Sequence, residues 1–459
     1  MEENYIGCCK LRKYCIVLIA ERDYEFFTKV AIELQKLGNK VTLLSYHTPH
    51  KNRAHPANLN IIFFQDLIKQ YEARIDISGD LDASWVLHES ITYSVNSKDL
   101  EKKFQRYEQI AEAFLCEHRF DYVIQELGGF VAPLSLYRAC LLTKTTHLFI
   151  EPTFLKGHLG FIKDDLSYKI SSVAAENKSF DAESYISQVL IEKTRVIPQK
   201  DAHHFKEVNL IKFLNMRNLK NLVHKLLYRY FFRMEFEYKF VAVFIYRAIK
   251  ALINKKHLSN KYRDLHFLIE QAKSHQCFFF PFHVKLDFSL TVRSPENLDQ
   301  LSVVNRVCEL IGENDLLFVK EHPASSGAYG VKDIKTLTHP EKVIWLRPNE
   351  QTFDIIQHCK SVFTINSKAG VEAMIMGAPV FCAGDSYYLS EGLALGIDEF
   401  SQNDLADLKP DKQSLLNFVA NLASKSFACE LYQNDTKNIT DFSDAIITAT
   451  KEHRYLNVS

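Results

Sequence analysis

Two short stretches of this chain carry residue types suited to holding a phosphate. The first is Lys320-Glu321-His322-Pro323, directly after the apolar run Leu316-Leu317-Phe318-Val319. The second is Asn366-Ser367-Lys368-Ala369-Gly370-Val371-Glu372-Ala373, entered through Thr364-Ile365 and left through Gly377-Ala378-Pro379. Each reads as a buried strand that ends in polar residues, which is where open α/β sheets bind ligands. Pro323 holds His322 extended, so the imidazole at a strand end can donate to a phosphate or carboxylate. Lys320 and Glu321 flank it on alternate sides. Ser367 falls close to the N-cap of a helix starting near Lys368, where free N–H groups and the helix dipole attract anions. That dipole contributes about 0.3–1 kcal/mol. Gly370 lets the helix approach its neighbours closely, and Glu372 in the first turn can accept from ribose hydroxyls. Taken singly, a cap serine, a dipole-paired glutamate and a satisfied surface histidine explain these residues; taken together, they favour a nucleotide. Asp80-Leu81-Asp82 matches an Asp-x-Asp metal pattern, but it sits in a polar loop and recurs often by chance, so no metal is expected.

The elements that must position these residues follow a β-α-β rhythm. Strands are predicted at 14–20, 41–45, 59–64, 121–125 and 147–150, with helices over 23–37, 98–117 and from the Gly128-Gly129 turn to about 142. Phe26, Phe27, Val30, Ala31, Leu34 and Leu37 give the first helix its apolar face, and Gly38 stops it. A second rhythm starts at 277–281 and continues with strands at 316–319, 342–346, 361–365 and 380–382. Helices are predicted at 297–312, 351–359 and 368–377, and a final one at 438–453. Such alternation argues for α/β architecture: two Rossmann-like, doubly wound domains facing a cleft. The expected division is 1–206, an N-terminal acceptor and catalytic domain; 207–268, a basic aromatic helical insertion or linker; 269–435, a nucleotide-sugar-binding domain; and 436–459, a C-terminal helix and tail.

Composition narrows the classes. Among 459 residues, 47% are apolar and 24% charged, and the formal net charge is zero. Large cores are therefore available and a nucleic-acid binder is disfavoured. Cys8, Cys9, Cys15, Cys116, Cys140, Cys277, Cys308, Cys359, Cys382 and Cys429 are scattered without zinc-like spacing, as expected of reduced thiols in a cytoplasmic protein. The run Cys15–Ala20 is too short for a signal peptide. No apolar run approaches the roughly 20 residues of a membrane span.

The pairing of Lys320-Glu321-His322-Pro323 with Asn366-Ser367-Lys368-Ala369-Gly370-Val371-Glu372-Ala373 resembles the capsule polysaccharide biosynthesis family, which includes bacterial β-Kdo glycosyltransferases that use CMP-Kdo. The His-Pro and Ser pair is also similar to CMP-dependent sialyltransferases of GT-B fold. Phe280-Pro281-Phe282-His283-Val284-Lys285-Leu286-Asp287 looks like that family's entry strand, with Phe282-His283 where a Leu-Gln pair is expected. In the N-terminal half the resemblance rests on Gln125-Glu126-Leu127-Gly128-Gly129-Phe130, Phe149-Ile150-Glu151-Pro152 and Ile197-Pro198-Gln199-Lys200-Asp201-Ala202-His203-His204. It implies a GT-B-like fold and a retaining transfer of Kdo from CMP-Kdo to a surface polysaccharide or its lipid-linked precursor. The CMP-sugar is then a substrate, and no cofactor is required. Such a transfer needs a carboxylate nucleophile and a separate acid/base. The resemblance implies Asp201 as nucleophile and Glu151 as acid/base, with Asp164, Asp165 and Glu126 as rivals. His203 and His204 would hold the sugar carboxylate. Glu126, Gly128, Gly129 and His283 are further candidate contacts for sugar or acceptor.

The stretch 207–265 is rich in Lys and Arg and interleaved with Tyr228, Tyr230, Phe231, Phe232, Phe236, Tyr238, Phe240, Phe244 and Tyr246. It reads as helical, either packed between domains or laid on an anionic membrane surface. The latter would suit a glycolipid acceptor and a peripheral location on the inner face of the cell membrane. Two alternatives remain at this level: another nucleotide donor (CMP-sialic acid, a UDP-sugar or CDP-glycerol), and a non-catalytic scaffold of a polysaccharide assembly complex. Acceptor, linkage and oligomeric state are not legible.

Overall fold

The computed structural model describes residues 11–71, 79–174, 180–193, 223, 238–402, 405 and 408–457. Two sheets organise the chain. The first contains β1 (Lys13–Leu18), β2 (Lys40–Ser45), β3 (Asn60–Phe63), β4 (Tyr122–Glu126), β5 (Thr146–Pro152) and β6 (Leu159–Lys163). The second contains β7 (Cys277–Pro281), β8 (Leu316–Lys320), β9 (Val343–Leu346), β10 (Ser361–Thr364), β11 (Val380–Cys382) and β12 (Leu395–Gly396). A last strand, β13 (Ser426–Phe427), returns to the edge of the first sheet.

The second sheet is parallel throughout and runs β9-β8-β7-β10-β11-β12. That is the 3-2-1-4-5-6 winding of dinucleotide-binding domains. The first sheet repeats it for five parallel strands, β3-β2-β1-β4-β5, then finishes with antiparallel β6 and β13. Both sheets are therefore doubly wound α/β, as the rhythm predicts.

Burial explains why the strands read as continuous apolar runs. In β1, Tyr14, Ile16 and Leu18 enter one core while Cys15 and Val17 enter another. In β7, Phe278 and Phe280 face one core and Cys277 and Phe279 the other. Alternate residues of a strand point to opposite faces, and helices cover both, so both must be apolar.

The chain closes back on its beginning. Ser426 pairs with Gly160 across β13 and β6. The helix Thr436–Glu452 then sets Ile439, Phe442, Ala445, Ile446 and Ala449 into the same core as Phe26, Phe27, Val30, Ala31 and Leu34 of the helix Asp23–Lys36. Tyr14 and Thr450 share a hydrogen bond of 2.9 Å. The first domain is thus completed by the C-terminus, and the return begins at β13, ahead of the 435/436 boundary expected from sequence.

The helix expected across 207–265 is seen over Tyr238–Leu258; most of the rest lies outside the described residues. The helices expected at 297–312 and 351–359 are shorter, at Gln300–Leu310 and Thr352–Ile356. No described helix is long and apolar enough to cross a membrane.

Candidate active site

The carboxyl ends of β5, β7, β8 and β10 converge on a cleft of about 620 Å³ between the two domains. From the second domain, His283, Lys320, Glu321, His322, Pro323, Asn366, Ser367, Lys368 and Glu372 line it; Glu151, Ser167 and Tyr168 line it from the first.

At the end of β8 the chain stays extended through His322 (φ −63°, ψ 133°), and Pro323 opens a short 3-10 turn, Pro323–Ser325. Proline fits there because the first turn needs no N–H from it. His322 Nδ1 accepts from the Ala324 N–H at 3.2 Å, so in the neutral ring the proton sits on Nε2, as a phosphate donor requires. The two residues before it behave differently. Lys320 is buried and donates to the Glu350 carbonyl (3.0 Å) and to Thr352 Oγ1 (3.1 Å). Glu321, also buried, accepts from the N–H groups of Gly327 (3.0 Å) and Tyr329 (3.2 Å) and from the Tyr262 hydroxyl (2.7 Å). Burial pushes the Glu321 carboxyl above its usual range, against those donors. Glu321 shapes the loop after β8, and its oxygens are committed inward.

After β10, Ile365, Asn366, Ser367 and Lys368 lead into the helix Ala369–Ile375. The N-cap is Lys368, one residue later than expected. Ser367 stands just before it: its N–H donates to Thr364 Oγ1 (3.1 Å), its Oγ accepts from the Ala369 N–H (3.2 Å), and its carbonyl accepts from the Tyr388 hydroxyl (2.6 Å). Asn366 Nδ2 donates to the Ser289 carbonyl (3.0 Å) and Ser294 Oγ (3.1 Å), while its Oδ1 has no partner among the described residues. Lys368 reaches across the cleft to the carbonyls of Pro152 (3.4 Å) and Thr153 (3.2 Å). Gly370 does not line the cleft. A Cβ there would lie 2.3 Å from the Tyr388 hydroxyl, so this glycine serves packing, not a ligand.

Two residues not singled out from the sequence complete the cleft. Arg293 lies between the rings of Tyr168 and Phe288, with Nε donating to the Leu166 carbonyl (2.8 Å) and Nη1 3.4 Å from Glu151 Oε1. Its Nη2 is buried and has no hydrogen-bond partner among the described residues. A guanidinium in that state is a ready anion site. Asp287 Oδ2 is 4.0 Å from His283 Nδ1, and His283 Nε2 accepts from the Asn366 N–H at 3.4 Å. Desolvation pushes the Asp287 carboxyl up, but its interactions with the nearby His283 and His322 outweigh it and hold it below its usual range. Arg293 follows the entry strand and the short helix Phe288–Thr291; its one signal was a lone cation there.

The remaining candidates lie elsewhere. Glu126, at the end of β4, pairs with Arg22 (3.5 Å) and accepts from the Tyr432 hydroxyl of the returning segment. Gly128 and Gly129 are outside the cleft lining; a Cβ on Gly129 would come within 2.6 Å of the His88 ring. Asp164 and Asp165 hold the turn after β6, through the N–H groups of His147 (2.7 Å), Leu166 (2.6 Å) and Ser167 (3.1 Å). Asp82 caps a short 3-10 turn through the Ser84 N–H (2.9 Å). Asp201, His203 and His204 fall outside the described residues.

The protein family described as capsule polysaccharide biosynthesis protein matches residues 176–424. Protein FixF of Sinorhizobium fredii (strain NBRC 101917 / NGR234) is 29% identical over 119 residues, which are 26% of this chain and 28% of that protein. The alignment therefore spans well under two thirds of that relative. Among solved structures, KpsC of Thermosulfurimonas dismutans, a β-Kdo 2,7 transferase, aligns at 16% identity over 74% of this chain and 89% of its own, with a TM-score of 0.37. A putative UDP-N-acetylglucosamine 2-epimerase from Listeria monocytogenes aligns at 14% identity over 98% and 99%, with a TM-score of 0.29. The fold itself rests on the strand order described above.

Proposed function

The chain belongs to the capsule polysaccharide biosynthesis protein family, and from that premise we propose that it is a glycosyltransferase drawing a sugar from a nucleotide-activated donor held in the interdomain cleft. The observation that carries this reading is the convergence of His322, the Ser367 helix entry and Arg293 on one wall with Glu151 on the other. Donors on one side and a carboxylate on the other suit loss of an anionic leaving group beside an acid/base.

CMP-Kdo is the proposed donor, on the motif resemblance. Asp201 attacks the anomeric carbon, the bond to the CMP oxygen breaks, and CMP leaves with its electron pair. His322 Nε2–H and the Ser367 hydroxyl meet the charge growing on the phosphate. Preorganised donors of this kind are each worth roughly 10²–10³ in kcat. Arg293 Nη2 faces the remaining anionic group of the donor. An acceptor hydroxyl then attacks the adduct, Glu151 takes its proton, and Asp201 is released. Two displacements retain configuration. No metal or cofactor enters this scheme. The acceptor is a glycan or glycolipid, and the basic segment 207–265 would hold the enzyme against an anionic membrane on its cytoplasmic side.

Thermal-shift titration with CMP, CDP, UDP and GDP tests the donor. Stabilisation by CMP, weakened in His322→Ala and Ser367→Ala, is expected; stabilisation by UDP and not CMP would end the Kdo assignment. Asp201→Ala is expected to abolish transfer and still bind CMP. A folded enzyme that transfers from none of these nucleotide sugars would favour the scaffold reading. Equal activity with and without anionic vesicles would remove the membrane role.

A further inference from the structure

Outside the cleft lining, the first domain gathers a second set of polar side chains at the carboxyl ends of β1 and β2. Asp23 Oδ2 accepts from the N–H groups of Ile19 and Ala20, both at 2.7 Å, and so fixes the turn that presents Glu21. After β2, Thr48–Asn52 forms a 3-10 turn capped by His47. Residues three apart eclipse one another in a 3-10 turn, which sets the His47 and His50 rings edge to face with centroids 4.7 Å apart. His47 Nε2 lies 2.9 Å and His50 Nε2 3.6 Å from the same Glu21 oxygen, Oε2. One donor atom from each residue lies within 4.8 Å of the others.

Ser45 holds the far side of the His50 ring. Ser45 Oγ accepts from the His47 N–H (3.2 Å), and lies 3.2 Å from the His47 carbonyl and 2.9 Å from His50 Nδ1. Nε2 of His50 is fully buried and has no hydrogen-bond partner among the described residues. His50 Nε2 and the Glu21 carboxylate oxygen therefore face each other across 3.6 Å, too far apart for a hydrogen bond. Arg53 answers only the other oxygen, Oε1.

We propose that Glu21, His47 and His50 form a site for a divalent cation of the zinc class, with a fourth position open. Two imidazoles and one carboxylate are the donor set of zinc, cobalt and nickel, whereas magnesium and calcium favour oxygen alone. Zinc bonds of 2.0–2.2 Å set tetrahedral donors about 3.4 Å apart, and the two distances to Glu21 Oε2 bracket that spacing. Ser45 plays the outer part by orienting a ligating imidazole through its second nitrogen. The site is separate from the donor cleft, and the transfer scheme above does not use it.

The test uses the full chain stripped with a chelator. Zinc is titrated calorimetrically into the wild type, Glu21→Gln, the double variant Glu21→Gln/His50→Asn, and Ser45→Ala, with cobalt absorption as a second readout. Glu21 is half exposed, so Glu21→Gln leaves the fold intact even if the double variant melts early. One zinc per chain is expected, weakened at least about a hundredfold in Glu21→Gln and lost from the double variant. Ser45→Ala is expected to weaken it about 10–100-fold. Cobalt should show ligand-field bands without thiolate charge transfer. Absence of wild-type binding, binding unchanged by Glu21→Gln, or thiolate bands that assign the metal to cysteines would overturn the proposal.

Discussion

The two domains wind their first five strands in the same order, yet use the strand ends differently. In the second domain, β7, β8 and β10 deliver His283, His322 and Asn366–Lys368 to one cleft. In the first, β5 delivers Glu151 to that cleft, while the ends of β1, β2 and β4 close among themselves. Glu21 meets His47 and Arg53, and Glu126 meets Arg22 and Tyr432. Winding order places loop ends on a common edge; the pairing of charges decides which of them face the donor cleft.

Arg293 and Glu126 break or sharpen that contrast most strongly. Arg293→Ala is expected to lower kcat with CMP-Kdo about 10²–10³-fold, and Glu126→Gln to leave it within a few-fold; equal losses would mean that the first domain's strand ends also touch substrate. Glu321→Ala leaves three donors without an acceptor and is expected to cost about 2–3 kcal/mol in urea unfolding, with little change in CMP affinity once folded. Gly370→Ala, which sets a Cβ against Tyr388, should cost about 1–3 kcal/mol. A donor role for Glu321 or Gly370 would instead appear as lost affinity at unchanged stability.

A pH test addresses the first domain's core. His147 on β5 is wholly buried, and burial pushes its imidazole down from 6.5 to about 3. The unfolded chain takes up a proton below about 6.5 that the folded chain refuses until about 3. The stability this residue contributes is therefore full above 6.5 and is lost as the pH falls through that window. His147→Gln should flatten the stability slope there by about one proton; the depression of His50 leaves a slope of the same sign. The smallest effect is expected at the interdomain pair Lys169–Asp385, 2.9 Å apart with both side chains exposed. Lys169→Ala should change stability by less than about 1 kcal/mol.

Much of this was legible because buried parallel strands are short apolar runs ending in polar residues. Leu316–Val319 and Val362–Ile365 announce β8 and β10, and the polar residues that follow lie in the cleft. What the pattern could not separate was outward from inward. Lys320 and Glu321 sit beside His322 in sequence, yet Thr352, Glu350, Gly327, Tyr329 and Tyr262 bind them from within. Gly370 faces Tyr388 from a different element. Strand β6 was missed because Gly160 interrupts its run, and β13 because two residues carry no periodicity. Arg293 escaped because its meaning depends on Glu151, which the other domain supplies.

The central claim is that the cleft between His322–Pro323 and Asn366–Lys368 holds the nucleotide of the donor. A crystal structure of the full chain with CMP measures this directly. The phosphate is expected within hydrogen-bond reach of His322 Nε2 and the Ser367 hydroxyl, with Glu151 and Arg293 facing the space beyond it. CMP bound elsewhere, or a cleft that stays empty at saturating CMP, would contradict the account.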